Sequence, residues 1–394
     1  MKLLVYGGSF NPPHRGHVSA LCRAMEQLCP DETWVIPAKT PPHKELAPGS
    51  PDPEQRLELT KLAFASLDGV TVSDMELHRD DASYTVDTLR QLAEQFPGWE
   101  IVFLMGTDML LYMEKWREFE VIFQLCTLAV LTREDGQDAT VESHAAYLRR
   151  EYGARVCVLP GEPLPMDSTG LRADLCRREG AERLPEAVYE FIICHRLYGA
   201  KPQFAWLRQK SYAHLKPYRI PHVAGCEEEA VRLARYWGED EEAAAEAAIL
   251  HDITKKLNPA EQLRLCRKYG IMADAVEMRE AKLLHSRTGA CLARELFGVS
   301  QPVFDAIEWH TTGRVNMTRL EKIIYMADYI EPTRDFAGVE ELRRLAYIDL
   351  DQAMILGLEM SLNELSQRGA ELHPRSVQTL NWLRDLRKNT HEII

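Results

Sequence analysis

The apolar run Leu3-Leu4-Val5-Tyr6 leads straight into Gly7-Gly8-Ser9-Phe10-Asn11-Pro12-Pro13-His14-Arg15-Gly16-His17. No other junction in the chain leaves the backbone so few options. Four apolar residues in a row read as a buried strand. Two glycines then permit a tight turn with the backbone close to a ligand, and two prolines hold the loop stiff. A helical pattern begins near Arg15, with Leu21, Ala24, Met25 and Leu28 at helical spacing. His14 and His17 therefore stand three residues apart at a helix N-terminus, where unbonded N–H groups and the helix dipole favour an anion. Two imidazoles at such a place can hold phosphate oxygens and stabilise charge while a phosphoryl group transfers.

The next 190 or so residues repeat the strand-then-helix pattern. Trp34-Val35-Ile36-Pro37 reads as a second strand, followed by a proline-rich loop from Ala38 to Pro51. That loop carries His43-Lys44, a basic pair that could close over phosphates as a lid. Asp52-Pro53-Glu54-Gln55 has the cap, proline and acidic first turn of a helix start. Val70-Thr71-Val72 is a short strand, and Ser83, Tyr84 and Thr85 open a helix that the Ser and Thr would cap. Ile101 to Met105 is an apolar strand followed at once by Gly106-Thr107-Asp108. Ligands of open α/β sheets bind at strand carboxyl ends, so Asp108 suits a ribose hydroxyl. Trp116 could stack on an aromatic ring. Strands at Leu128–Leu131 and Val156–Leu159 precede Asp167-Ser168-Thr169-Gly170-Leu171-Arg172, a capped helix start with an Arg in its first turn and a second candidate phosphate cradle. A helix from Pro185 to Tyr198 closes the domain. The alternation predicts an α/β Rossmann-like parallel sheet.

Lys201 to Lys216 has no long periodic pattern, so the chain is divided into residues 1–203 and 204–394. Beyond His222 only helix patterns remain, rich in Ala, Glu, Leu and Arg, and the second domain should be all-α. Its chemistry lies in His222, His251-Asp252, His285, His310 and Asp328, each set beside apolar residues. An unpaired polar group there is costly. Metal coordination would satisfy all six together, and an imidazole and carboxylate set without Cys suits iron, manganese, cobalt or zinc.

Composition narrows the field. A net charge of −13 argues against non-specific nucleic-acid binding and against an anionic membrane surface. Nine cysteines, an odd number with no CxxC pair, fit reduced thiols in a cytoplasm better than disulfides or a zinc site. The N-terminal residues read as a strand, not a signal peptide, and no apolar run approaches membrane-spanning length.

His14-Arg15-Gly16-His17 resembles the (T/H)xGH signature of the nucleotidylyltransferase superfamily. With PPHK (41–44), SYTVDTL (83–89), GTD (106–108), Trp116 and STGLR (168–172), residues 1–200 resemble the bacterial nicotinate-nucleotide adenylyltransferases. The resemblance implies transfer of AMP from ATP to nicotinate mononucleotide, with Mg2+ and no covalent enzyme intermediate. Deamido-NAD and pyrophosphate would be the products. It implies that His14 holds the ATP phosphates and His17 stabilises the reacting α-phosphate. Tyr84 and Thr85 would hold nicotinate mononucleotide, Trp116 would stack on its pyridine ring, and Asp108 would contact the adenosine ribose. His43, Lys44, Ser168, Thr169 and Arg172 would contact phosphates, with Gly7, Gly8, Phe10, Gly106 and Arg133 completing the nucleotide-binding set. Asp167 departs from the pattern, which usually has Ser there; a carboxylate beside triphosphate weakens ATP binding unless it turns away as a cap.

The order H…HD…H…H…D resembles the HD phosphohydrolase superfamily. LHDITK (250–255), LLHS (283–286), HTTG (310–313) and ADYIEPTR (327–334) resemble its symmetrical diadenosine tetraphosphatases. The resemblance implies that His222, His251, Asp252 and Asp328 bind one divalent metal. His285 and His310 would bind a second, with Asp252 bridging and iron first among the candidates. Lys255 would be catalytic, and Thr311 and Arg334 would contact phosphate. Diadenosine tetraphosphate would be cut to ADP. Val223, after His222, departs from the usual Thr or Ser. Two other readings of this half stay open, a nucleotide sensor or another nucleotide phosphohydrolase regulating the adenylyltransferase. An assembly of identical chains is compatible with all of them.

Overall fold

In the computed structural model, which describes residues 1–41, 46–79, 82–131, 138–160 and 166–391, contacts divide the chain into Met1–Lys201 and Pro202–Ile394. His43, Lys44 and Arg133 lie outside the described residues.

The first unit alternates as its apolar runs predict. Its elements are β1 (Lys2–Gly8), α1 (Arg15–Leu28), β2 (Glu32–Pro37), α2 (Pro53–Phe64), β3 (Val70–Val72), α3 (Thr85–Gln95), β4 (Glu100–Gly106) and α4 (Thr107–Leu111), then α5 (Phe119–Leu125), β5 (Thr127–Leu131), α6 (Asp138–Tyr152), β6 (Arg155–Leu159), α7 (Ser168–Cys176) and α8 (Glu186–Cys194). The six strands are parallel, in the order β3-β2-β1-β4-β5-β6. Chain order reverses between β1 and β4, so a crevice opens at their carboxyl ends. Leu3, Leu4 and Val5 are wholly buried, and Ile101 to Met105 nearly so. A parallel sheet covered on both faces demands such continuous apolar strands.

Local chemistry sets some helix starts. Asp52 Oδ1 accepts the Gln55 N–H at 2.7 Å, with Pro53 at the first position, so α2 begins where its sequence predicts. Ser83 does not cap α3 as expected. Its Oγ accepts the Lys39 N–H at 3.0 Å, because the chain after β2 folds back over it. The helix predicted to run to Tyr198 stops at Cys194, and Tyr198 takes a left-handed conformation with φ 60°.

Among the described residues the second unit contains only helices: α9 (Phe204–Ala213), α10 (Ile220–Trp237), α11 (Glu241–Leu250), α12 (Pro259–Tyr269), α13 (Ala275–Arg279), α14 (His285–Phe297), α15 (Gln301–Trp309), α16 (Arg319–Ile330), α17 (Val339–Ala346), α18 (Leu350–Gln367) and α19 (Pro374–His391). Helices α10, α11, α15 and α16 pack on one another. Ala244, Ala245, Ala247 and Ala248 are buried on α11, small enough to let its neighbours come close. Val223 is fully buried on α10, which gives the departure after His222 a packing role. No helix of the described residues is long and apolar enough to cross a membrane.

Candidate functional site

At the carboxyl ends of β1 and β4 the first unit holds a cavity of about 450 Å³. The turn Gly7–Phe10 forms one wall, and His14 and His17 stand on it at the mouth of α1. Their rings lie face to face, centroids 3.7 Å apart and tilted by 32°. The His14 N–H donates to His17 Nδ1 at 3.1 Å, which ties the second ring to the first turn. Phe10 packs its edge on His17 at 5.3 Å. Close approach explains Gly16: a Cβ there would meet His14 Nδ1 at 2.9 Å and Met166 Cβ at 3.3 Å.

Thr85, Gly106, Asp108, Trp116, Ser168 and Thr169 line the same cavity, as the sequence motifs require if they serve one ligand. Trp116 sets its indole edge-on to Phe103, with centroids 6.3 Å apart. Tyr84 and Arg172 stand outside the lining. The Arg117 guanidinium covers the Tyr84 ring at 4.6 Å. Arg172 Nη1 donates to the Asn11 carbonyl at 2.7 Å, and Ser168 Oγ to the Pro12 carbonyl at 3.2 Å, so α7 braces the loop before α1. Asp167 Oδ1 accepts the Gly170 N–H at 2.7 Å; the departing carboxylate caps α7. Glu76, which the sequence reading passed over, also lines the cavity though only 6% exposed. Burial pushes its carboxyl up from the ordinary value, opposed by hydrogen bonds from Thr88 and Ser83.

The second unit brings all six predicted histidines and aspartates together. Asp252, 1% exposed, sits among four imidazoles. Its Oδ2 lies 3.5 Å from His251 Nε2 and 3.9 Å from His222 Nε2. Its Oδ1 lies 3.2 Å from His285 Nε2 and 3.9 Å from His310 Nε2. Asp328 Oδ1 completes the first group at 3.0 Å from His222 Nε2.

Each ring is aimed by a bond on its far side. The Nδ1 of His251 meets the Ala248 carbonyl at 2.7 Å, that of His285 the Lys282 carbonyl at 2.6 Å, and that of His310 the Ile307 carbonyl at 2.7 Å. His222 Nδ1 meets Glu331 Oε1 at 2.9 Å. These oxygens can only accept, so each Nδ1 carries the proton and each Nε2 turns a lone pair to the common centre. The ligand atoms of His222, His251 and Asp328 fall within 4.8 Å of one another, as do those of His251, Asp252 and His310. His251 Nε2 is buried without a hydrogen bond. Convergent lone pairs, two carboxylates and an orphaned buried nitrogen fit divalent metal ions.

Electrostatics agree. Burial pulls the imidazoles of His251 and His310 below the ordinary value, His310 well below, so both favour the neutral ligand form. Burial would raise Asp252 and Asp328, yet both are held well below the usual carboxylate range, Asp252 in part by the Lys255 ammonium, so both favour the anionic form. Lys255 Nζ lies 3.0 Å from His285 Nε2, Arg334 Nη2 donates to Asp328 Oδ1 at 2.8 Å, and Thr311 follows His310 with its Oγ1 unbonded. Arg219 and Glu331 were not singled out from sequence. Arg219 Nε donates to Asp252 Oδ2 at 2.6 Å. Glu331, wholly buried, also accepts the Thr333 N–H at 2.6 Å. Arg219 stands three residues before His222, and Glu331 three after Asp328; that helical-turn spacing was the available signal.

Residues 5–172 match the model of the cytidylyltransferase-like family, and residues 219–333 that of the HD domain. A symmetrical bis(5'-nucleosyl)-tetraphosphatase of Halalkalibacterium halodurans is 40% identical over 171 residues, 43% of this chain and 91% of its own length. A probable nicotinate-nucleotide adenylyltransferase of Synechococcus sp. is 34% identical over 199 residues, 50% of this chain and 96% of its own length. A solved structure from Clostridium acetobutylicum, described as a predicted HD superfamily hydrolase involved in NAD metabolism, is 37% identical, with a TM-score of 0.45. It covers 46% of this chain and 97% of its own. Near-complete coverage of two unrelated relatives, one for each fold, means that the chain belongs to the nicotinate-nucleotide adenylyltransferases through its α/β unit and to the symmetrical bis(5'-nucleosyl)-tetraphosphatases of the HD superfamily through its helical one.

Proposed function

We propose that the chain carries both activities. In the α/β cavity a phosphate oxygen of nicotinate mononucleotide attacks the α-phosphorus of ATP. The bond from that phosphorus to the bridging oxygen breaks, and pyrophosphate leaves with the electron pair. His14 and His17, stacked at the mouth of α1, hold the polyphosphate and the charge that develops on it. Asp108 at the start of α4 takes the adenosine ribose, and Trp116 offers a face to the pyridine ring. Magnesium, carried with ATP, would neutralise part of the triphosphate charge. Two imidazoles on one helix mouth inside the crevice carry this half of the reading. H17A should lose deamido-NAD synthesis by about a hundredfold or more. Wild-type turnover in that variant would remove the role.

The helical unit hydrolyses diadenosine tetraphosphate symmetrically. Water adds to one of the two inner phosphorus atoms, and the oxygen between them leaves, giving two ADP. His222, His251 and Asp328 would hold one divalent ion, His285 and His310 the other, and Asp252 both. Such a pair, with iron first among the candidates, would supply a hydroxide at neutral pH and neutralise the leaving phosphate. Lys255, Arg219, Arg334 and Thr311 would receive phosphate oxygens. The observation that carries this reading is Asp252, whose two oxygens face separate pairs of imidazoles. Purified chain with ferrous or manganous ion should convert diadenosine tetraphosphate to ADP alone. Intact substrate, or AMP and ATP as products, would overturn it. Nine cysteines, an odd number with no CxxC pair, support a cytoplasmic setting.

A further inference from the structure

The α/β cavity is proposed to hold a polyanion, yet its described wall is acidic. Among the described lining residues Arg23 stands against the carboxylates of Glu76, Asp108 and Asp167. Behind that wall lies a cation that no motif marks. Arg56, on α2, is wholly buried and among the largest side chains to be so. Its Nη1 donates to the Ser9 carbonyl at 3.1 Å and the Ala38 carbonyl at 2.6 Å, and its Nη2 to the Lys39 carbonyl at 2.7 Å. Ser9 and Ala38 are themselves cavity residues, so one thickness of main chain separates the guanidinium from the cavity.

Among the described residues no carboxylate pairs with Arg56. Asp52 and Glu54, near the start of its own helix, act on it only through space. A buried charge is costly unless compensated, and an arginine does not shed its proton to escape. Three carbonyl dipoles solvate the guanidinium but leave its full charge in place. That charge is fixed, shielded from solvent ions, and positioned against a cavity whose proposed ligand is negative.

We propose that Arg56 is a positioning residue for polyphosphate, its buried charge offsetting the acidic wall and setting the affinity for ATP. This rests on the adenylyltransferase reading of the cavity. Arginine rather than lysine occupies the position because a planar fork reaches three acceptors at once.

Calorimetric titration of the full chain with ATP, inorganic tripolyphosphate and adenosine separates charge from scaffolding. R56Q keeps hydrogen-bond donors and removes the charge; it should weaken ATP and tripolyphosphate by about tenfold and leave adenosine unchanged. R56K keeps the charge and loses the fork; it should stay within about threefold for all three. Equal losses in the two variants, a parallel loss of adenosine, or wild-type ATP affinity in R56Q would each overturn the proposal. Should R56Q fail to fold, R56K decides, a loss of tenfold or more in folded protein counting against it. Failure of the wild-type chain to bind either polyphosphate would strike the reading of the cavity instead.

Discussion

Asp252 is where residue-scale chemistry is densest. With one oxygen toward His251 and the other toward His285, its loss removes a ligand from both halves of the cluster. D252N should therefore bind substoichiometric metal by elemental analysis, whereas H310A should retain about one ion per chain. Glu331 acts one layer out, fixing the proton on His222 Nδ1. E331Q should weaken manganous-ion binding by about ten- to a hundredfold without unfolding the chain. Gly225 guards the same carboxylate, since a Cβ there would meet Glu331 Oε2 at 2.5 Å. Glu76 makes a pH prediction. Its carboxyl is raised above the ordinary value of 4.5 by burial, so the folded chain holds that proton more tightly than the unfolded one. The resulting stability is fully present below pH 4.5 and is lost as pH rises through the higher folded value. Thermal melts across that window should show wild type losing ground against E76Q as pH rises; a constant difference would contradict it. The ligand histidines were legible because polar residues inside apolar helices demand partners. Arg56, Arg219 and Glu331 were not, because what they bond lies in other segments, for His222 and Glu331 109 positions apart.

At the scale of elements, helix mouths bear most of the chemistry of the α/β unit. The start of α1 presents two imidazoles, while the start of α7 is occupied by the carboxylate of Asp167. A Ser cap would satisfy the same N–H without a negative charge. D167S should tighten ATP binding several-fold, read as a lower KM for ATP, with a melting temperature within a few degrees of wild type. Strands were the most legible elements, since a sheet covered on both faces leaves only apolar runs. Helix boundaries were less so. Ser83 looked like a cap because its type and place fit one, but the chain after β2 competes for its hydroxyl and wins. Likewise nothing in the letters of Leu197-Tyr198 announces the left-handed turn at Tyr198 that ends the last helix of the unit early.

For the whole molecule, each cluster draws its described residues from one unit, and each unit has a buried interior of its own. The two chemistries should therefore be separable by single substitutions. H17A should leave diadenosine tetraphosphate hydrolysis within about twofold of wild type, and D252N should do the same for deamido-NAD synthesis, measured side by side on the full chain. Loss of both activities in either variant would contradict that independence. The division into an α/β and an all-α part was plain in the sequence because strand patterns cease after the first 200 residues or so.

Three of the four imidazoles around Asp252 bond back to a carbonyl three residues earlier in their own chain segment. Such a ring cannot swing to follow an ion of a different radius. Any adjustment has to be made by sliding the backbone that bears it, against the packing of α11, α14 and α15. Discrimination among ions of similar charge is thereby transferred from the side chains to the spacing of the helices, and substitutions far from the cluster that alter that spacing should change which ion the chain prefers.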